Sequence, residues 1–161
     1  IVGNLPYNIS SQILVKILKF KIWPPKYNNL IFMFQKELGE KIIGKYLTSD
    51  YSRLSIITNY RLDIIKKFNV SSNSFSPKPK ITSMVIQFKP TKKKKFKIRK
   101  IESLEKITNV LFSNKRKMIN KNIKKILSDK KINEIKNLNL KKRPSEIQPE
   151  IYYKIAEFYE N

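Results

Sequence analysis

The chain has 161 residues and a net charge of +23, from 35 lysines and arginines against 12 acidic residues, with neither histidine nor cysteine. Those two absences exclude disulfides, cysteine-ligated metals and a histidine general base, and no metal site is expected. Hydrophobic residues make up 40% of the sequence, enough for a packed core, and no run approaches the roughly 18 apolar residues of a membrane helix.

Ile1-Val2 reads as the end of a buried strand, followed by Gly3 and the turn Asn4-Leu5-Pro6-Tyr7. That turn suits holding a planar, amino-bearing base. The amide oxygen of Asn4 and the backbone carbonyl of Leu5 can accept both N–H bonds of an exocyclic amine, which draws the nitrogen lone pair out of conjugation and aims it. Pro6 fixes φ and removes a donor. Tyr7 offers a face on which a base can stack. Asparagine and proline also serve ordinary strand-to-helix turns, so four residues alone leave both readings open.

Ser10 is the expected N-cap of a helix over Gln12–Phe20, with Ile13, Leu14, Ile17 and Leu18 at helical spacing, closed by Pro24-Pro25. Asn29–Gln35 is a continuous apolar strand, as in a sheet covered on both faces. A short helix over Leu38–Lys45, a polar loop Tyr46–Ser52 and a helix over Arg53–Arg61, with Leu54, Ile56 and Ile57 inward, follow. Leu62–Val70 and Ser83–Phe88 read as strands joined by the Ser/Asn/Pro-rich loop Ser71–Lys80. The alternation predicts an α/β layer with a mostly parallel sheet and an antiparallel edge. Pro90–Lys100, with Lys92-Lys93-Lys94-Lys95, reads as a basic linker. Beyond it only helices are expected, over Ile101–Ser113, Arg116–Leu127, Lys131–Leu138 and Glu150–Glu160; in the second, Ile119, Ile123, Ile126 and Leu127 form the apolar stripe, with Lys121, Lys124 and Lys125 largely off it.

The charge is concentrated. Residues 78–143 hold 23 basic and 4 acidic residues, which is +19 of the total +23. A basic half of this strength implies a polyanionic partner. The candidate phosphate contacts are Lys36, Lys78, Lys80, Lys115, Arg116, Lys117 and Lys121, as a cluster more than as individuals.

In chain order, Val2-Gly3-Asn4-Leu5-Pro6-Tyr7-Asn8-Ile9-Ser10-Ser11, Phe34-Gln35-Lys36-Glu37, Tyr51-Ser52-Arg53-Leu54-Ser55, Phe75-Ser76-Pro77-Lys78-Pro79-Lys80-Ile81-Thr82-Ser83, Leu111-Phe112 with Arg116-Lys117, and Arg143-Pro144-Ser145-Glu146-Ile147 resemble the KsgA family, the adenine dimethyltransferases of small-subunit ribosomal RNA. The resemblance covers almost the whole chain. It implies the C-terminal part of a Rossmann-like class I methyltransferase lobe over residues 1–90, a linker over 91–100 and a small all-helical RNA-binding domain over 101–161. It also implies S-adenosylmethionine as cofactor, with Asn4 beside it. Asn4, Leu5, Pro6 and Tyr7 become the candidate catalytic turn, and Phe75 the aromatic that closes the other face of the adenine. The alternative for Phe75 is a core cap, and Arg53 reads as a residue that orders its turn.

The resemblance further implies that the family's Gly-rich cofactor turn lies upstream, because Gly3, Gly39 and Gly44 are the only glycines and none is so placed. Three strands with their helices would need roughly 100 further residues, at about 30 per βαβ unit. The expected partner is small-subunit rRNA or its ribosomal particle, bound by a monomer in the cytoplasm. The chain opens at Ile rather than Met, so a targeting peptide stays open. Two alternatives accompany this reading. One is the large-subunit rRNA methyltransferase family, which shares Asn-x-Pro-Tyr and Gln-Lys-Glu. The other is a non-catalytic RNA-binding or ribosome-assembly factor.

Overall fold

The computed structural model describes residues 1–77, 79–92 and 96–161. Four strands, β1 (Val2–Asn4), β2 (Leu30–Gln35), β3 (Leu62–Val70) and β4 (Ser83–Pro90), form one sheet in the order β1-β2-β4-β3. β1 pairs with β2 in parallel, whereas β2 with β4 and β3 with β4 are antiparallel. The sheet is therefore less parallel than the strand–helix alternation suggests. The β3–β4 hairpin folds back so that β4, not β3, lies against β2, and two of the three pairings in the described sheet become antiparallel. Within this chain β1 stands at the edge of the sheet. β1 is hydrogen-bonded on one side only, and Val2 is 78% exposed.

β2 shows why the sheet packs. Its side chains alternate across the sheet, so Leu30, Phe32 and Phe34 share one fully buried face. Phe32, Phe34 and Phe88 meet edge to face, the arrangement that ring quadrupoles favour. The opposite face, with Ile31, Met33 and Gln35, is only half-covered.

The helices are α1 (Ser10–Leu18), α2 (Lys36–Ile43), α3 (Arg53–Arg61), α4 (Ile101–Phe112), α5 (Asn120–Ile123), α6 (Asp129–Glu134) and α7 (Pro149–Glu160). α3 and α4 begin where helical periodicity puts them, and α7 starts with Pro149 in its first turn, where a missing N–H costs nothing. α1 starts earlier than expected. Ser10 is its first residue rather than its cap, and the hydroxyl donates to the Tyr7 carbonyl at 3.2 Å. Likewise α2 starts at Lys36, two residues early, directly from the end of β2.

The largest departure falls on Arg116–Leu127. Only Asn120–Ile123 is helical there. The Ile119 N–H leaves the helical ladder for the Lys142 carbonyl at 3.0 Å, Asn120 Oδ1 takes the Lys121 N–H at 2.8 Å, and Asn122 donates to Ser113 Oγ at 3.3 Å. Asparagine amides compete with the backbone for partners, and this segment has several. The helix expected over Lys131–Leu138 runs instead as α6 and ends at Glu134, with Ile135 already extended at φ −78° and ψ 101°; beyond it Asn137 takes φ 66°, a left-handed conformation that asparagine tolerates.

The buried side chains of the strands and of the later helices belong to one contiguous cluster. Tyrosine hydroxyls cross between the two parts. Tyr46 donates to the Glu146 carbonyl at 3.0 Å, Tyr51 to that of Ile147 at 2.9 Å and Tyr153 to that of Ile56 at 3.0 Å. Within the segment read as a linker, Phe96 and Ile98 are buried, and Tyr60 bonds to both backbones; Lys93, Lys94 and Lys95 lie outside the described residues. Arg61 is buried as well. Its guanidinium donates to the carbonyls of Leu18 and Phe20, at the end of α1, and lies over the Trp23 ring at 4.8 Å. Burial lowers its pKa from the ordinary arginine value.

Gly44 closes α2 in an ordinary conformation, φ −52°, so glycine is needed there for space alone. A Cβ would lie 2.2 Å from the Asp50 carbonyl oxygen and 2.8 Å from the Tyr51 nitrogen. Gly44→Ala must push the 45–51 turn away and with it Tyr51. The expected loss is about 1–3 kcal/mol, read as a drop of several degrees in Tm; an unchanged Tm would contradict this packing.

Candidate active site

Three segments meet at the end of β1. Asn4 is its last residue, opposite Met33 of β2, and its side chain is exposed, with no hydrogen bond among the described residues. Pro6 and Tyr7 follow in a turn closed on itself: the Ile9 N–H donates to the Pro6 carbonyl at 3.2 Å, and Ser10 fixes the Tyr7 carbonyl as described. Leu5 packs its half-buried side chain on the core, which anchors the turn.

The Tyr7 hydroxyl and Ser83 Oγ share a hydrogen bond of 2.6 Å. Ser83 is fully buried and is the first residue of β4, opposite Gln35. Beside it, the Lys36 N–H donates to the Thr82 carbonyl at 3.0 Å. The turn after β1, the β2–α2 junction and the loop before β4 are thereby locked together at one end of the sheet. That loop carries Phe75. A 3₁₀ turn at Ser72–Ser74, held by the Ser71 hydroxyl on the Asn73 N–H at 3.3 Å, leads into it. Phe75 is half-buried, the Ser76–Pro77 peptide is cis, and Phe75 makes no ring contact with Tyr7.

Arg53 begins α3 and orders its turn less than expected; the Ser52 and Ser55 hydroxyls make that cap reciprocally. Lys36 is paired with Glu40 at 3.7 Å, and Lys41 beside Glu37 holds that carboxyl below its ordinary value.

The basic candidates separate into groups. Lys80 is exposed on the Phe75 loop, and Lys78 lies outside the described residues. Lys115 places its ammonium 5.9 Å from the Phe112 ring and lines a groove with Arg53 and Glu105. Arg116, Lys117 and Lys121 do come together, on one concave surface, joined there by Lys125 and Arg143. Neither of those two stood among the sequence candidates. Arg143 was visible only as part of its Pro-Ser-Glu motif, and Lys125 only as an off-stripe residue of a helix that does not form.

Solved structures share this fold. A dimethyladenosine transferase from Plasmodium falciparum superposes with a TM-score of 0.72 at 22% identity, over 96% of this chain and 64% of that one. The 23S rRNA methyltransferase ErmE superposes at 0.64 with 20% identity, over 99% of this chain and 64% of that one. Among sequences, the ribosomal RNA small subunit methyltransferase A of Pelagibacter ubique is 39% identical over 99% of the chain, and that of Legionella pneumophila (strain Corby) 35% over all of it. The chain spans 61% of the length of either relative. The profile described as ribosomal RNA adenine dimethylase matches residues 1–161, and the chain belongs to that family.

Proposed function

We propose that this chain carries the target-base half of an S-adenosylmethionine-dependent enzyme that dimethylates adenine N6 in small-subunit rRNA. Residues 1–90 belong to the catalytic lobe, and residues 101–161 form the helical RNA-binding part. The observation that carries this reading is the lock between Tyr7 and Ser83, which sets the Asn4–Tyr7 turn against the loop bearing Phe75. Family membership supplies the reaction.

The adenine leaves its stack and enters between Tyr7 and Phe75. The Asn4 amide oxygen and the Leu5 carbonyl accept the two N6–H bonds, so the nitrogen lone pair points out of the ring plane. The cofactor supplies an electrophilic methyl when bound. Asn4 fits a place beside that group, since its carboxamide is exposed and unengaged at a strand end, the side on which open α/β sheets bind ligands. After transfer the nitrogen is cationic and sheds its proton to solvent. No histidine or cysteine is called for, and the sequence has none.

Ser83 acts here as a positioning residue. In the complete enzyme, Ser83→Ala frees the Tyr7 ring and is expected to lower kcat/KM about tenfold, the worth of one good hydrogen bond. Tyr7→Phe should do the same, and the double variant should be no worse than either single one. Additive losses would contradict the tether.

The choice of RNA is tested by primer extension on ribosomal RNA after reaction with the complete protein. A stop at adenines of the small-subunit RNA is expected. A stop only in the large-subunit RNA would transfer the enzyme to the other methyltransferase group, and no stop in either would leave an RNA-binding factor.

A further inference from the structure

The helical part holds a second concave site, lined by no residue of the Asn4–Tyr7 turn. A cavity of about 590 Å³ opens between the turn after α4, α5 and the segment reaching Arg143. Its size lies within the range of small-ligand sites. Arg116, Lys117, Lys121, Lys125 and Arg143 surround it, and no carboxylate lines it. Among the described residues none of these five side chains makes an ion pair, although their neighbour Lys124 pairs with Asp129 at 3.0 Å. Five unpaired like charges about one concavity favour a polyanion.

The wall is not merely basic. Met118 is 51% exposed among these cations, and its polarizable thioether suits the face of an aromatic ring. Asn114 and Asn120 add amide groups beside it; Asn120 spends its oxygen on the Lys121 N–H, which leaves the NH₂ to donate. The two sides are tied together by the Ile119–Lys142 backbone bond, and Arg143 is held by its own N–H on Glu146 at 2.7 Å, so the cavity is preformed. Charge alone would ask for a phosphate-lined surface; an apolar contact and amides inside a basic ring ask for a base with its phosphates.

We propose that this cavity takes one unpaired nucleotide of the RNA, its base on Met118 and its flanking phosphates on the surrounding cations, as an anchoring subsite separate from the target adenine. The proposal rests on the RNA reading above. Single-stranded positions are where RNA presents its bases to proteins.

The test uses the 161-residue chain and RNA hairpins with one bulged nucleotide, each base in turn, against the same hairpin with an abasic bulge. The phosphate count is identical, so only the base differs. At least one bulged base should bind about tenfold more tightly than the abasic bulge, within the range of one base stack. Met118→Ala should abolish that difference while leaving abasic-hairpin affinity unchanged; Met118 is exposed, so folding is spared. Lys125→Gln with Arg143→Gln should weaken every hairpin and flatten the salt dependence. Equal affinity for all hairpins with a silent Met118→Ala overturns the nucleotide subsite and leaves RNA binding standing. No binding of any hairpin overturns the RNA reading itself.

Discussion

Asn4→Ala in the complete enzyme should lower methyl transfer by at least about 10²- to 10³-fold, the usual cost of removing one preorganised polar partner of a reacting group, and leave RNA affinity within twofold. The reason is positional. Asn4 ends β1 with its carboxamide exposed and free of any partner among the described residues, so the substitution breaks no contact that these residues make. The cations proposed to hold RNA lie elsewhere, around Arg116 and Lys121. Single-turnover methylation and a binding titration, run side by side, check both halves. A drop in RNA affinity matching the drop in rate would mean that Asn4 binds RNA generally rather than presenting the amine.

The second large effect is alkaline unfolding. Tyr51, Tyr152 and Tyr153 are 2%, 0% and 7% exposed, and burial first of all pushes each phenol above its ordinary 10.0. Charge adds to this: Tyr153, Glu150 and Tyr46 act on Tyr51, Tyr51 acts on Tyr152, and Glu150 and Tyr60 act on Tyr153. All three hydroxyls donate to carbonyls, of Ile147, Pro144 and Ile56, which an ionised phenolate could not do. Below pH 10 both states keep these protons and the stabilisation is intact. Above it the unfolded chain releases three protons that the native state retains, so stability falls as pH rises. The slope approaches about 4 kcal/mol per pH unit for three protons, against a total stability of roughly 5–15 kcal/mol. A steep, cooperative unfolding shortly above pH 10 is expected, followed by circular dichroism. Tyr153→Phe removes one proton from the count and should reduce the slope by about 1.4 kcal/mol per pH unit. A slope unchanged in that variant would contradict the assignment.

The same three tyrosines show what a sequence can and cannot display. The helices around them were legible: α7 carries Tyr152 and Tyr153, and Tyr51 lies just ahead of α3. Arg53–Arg61 and the stripe of α4 follow from apolar spacing, because a helix that buries one face must repeat every 3.6 residues. β2 was legible as an apolar run for the same kind of reason. What each hydroxyl would meet was not, since Tyr51 and Ile147 lie 96 positions apart. Failure at Arg116–Leu127 has a local cause: of the apolar stripe, Ile119, Ile123 and Leu127 are buried and Ile126 partly so, but asparagine side chains and the Lys142 carbonyl took the backbone elsewhere. Arg143 then closes on the cluster from a segment that periodicity leaves distant.

The candidate site divides in the same way. Asn4, Leu5, Pro6 and Tyr7 were readable because turn chemistry is local. Phe75 could be placed only by resemblance. Ser83, which ties Tyr7 to the Phe75 loop, belongs to a strand whose place in the sheet the sequence does not give, so its partnership with residue 7 could not be read from spacing.

The most direct test of the central claim is to find where the target adenine sits. Small-subunit RNA carrying 2-azidoadenosine at a methylated position, bound to the complete protein and irradiated, can be mapped to the residue it labels by peptide mass spectrometry. Adducts on Tyr7 or Phe75 are predicted. Labelling confined to the helical part, with none on the Asn4–Tyr7 turn or the Phe75 loop, would contradict the assignment of this sheet end as the target-base site.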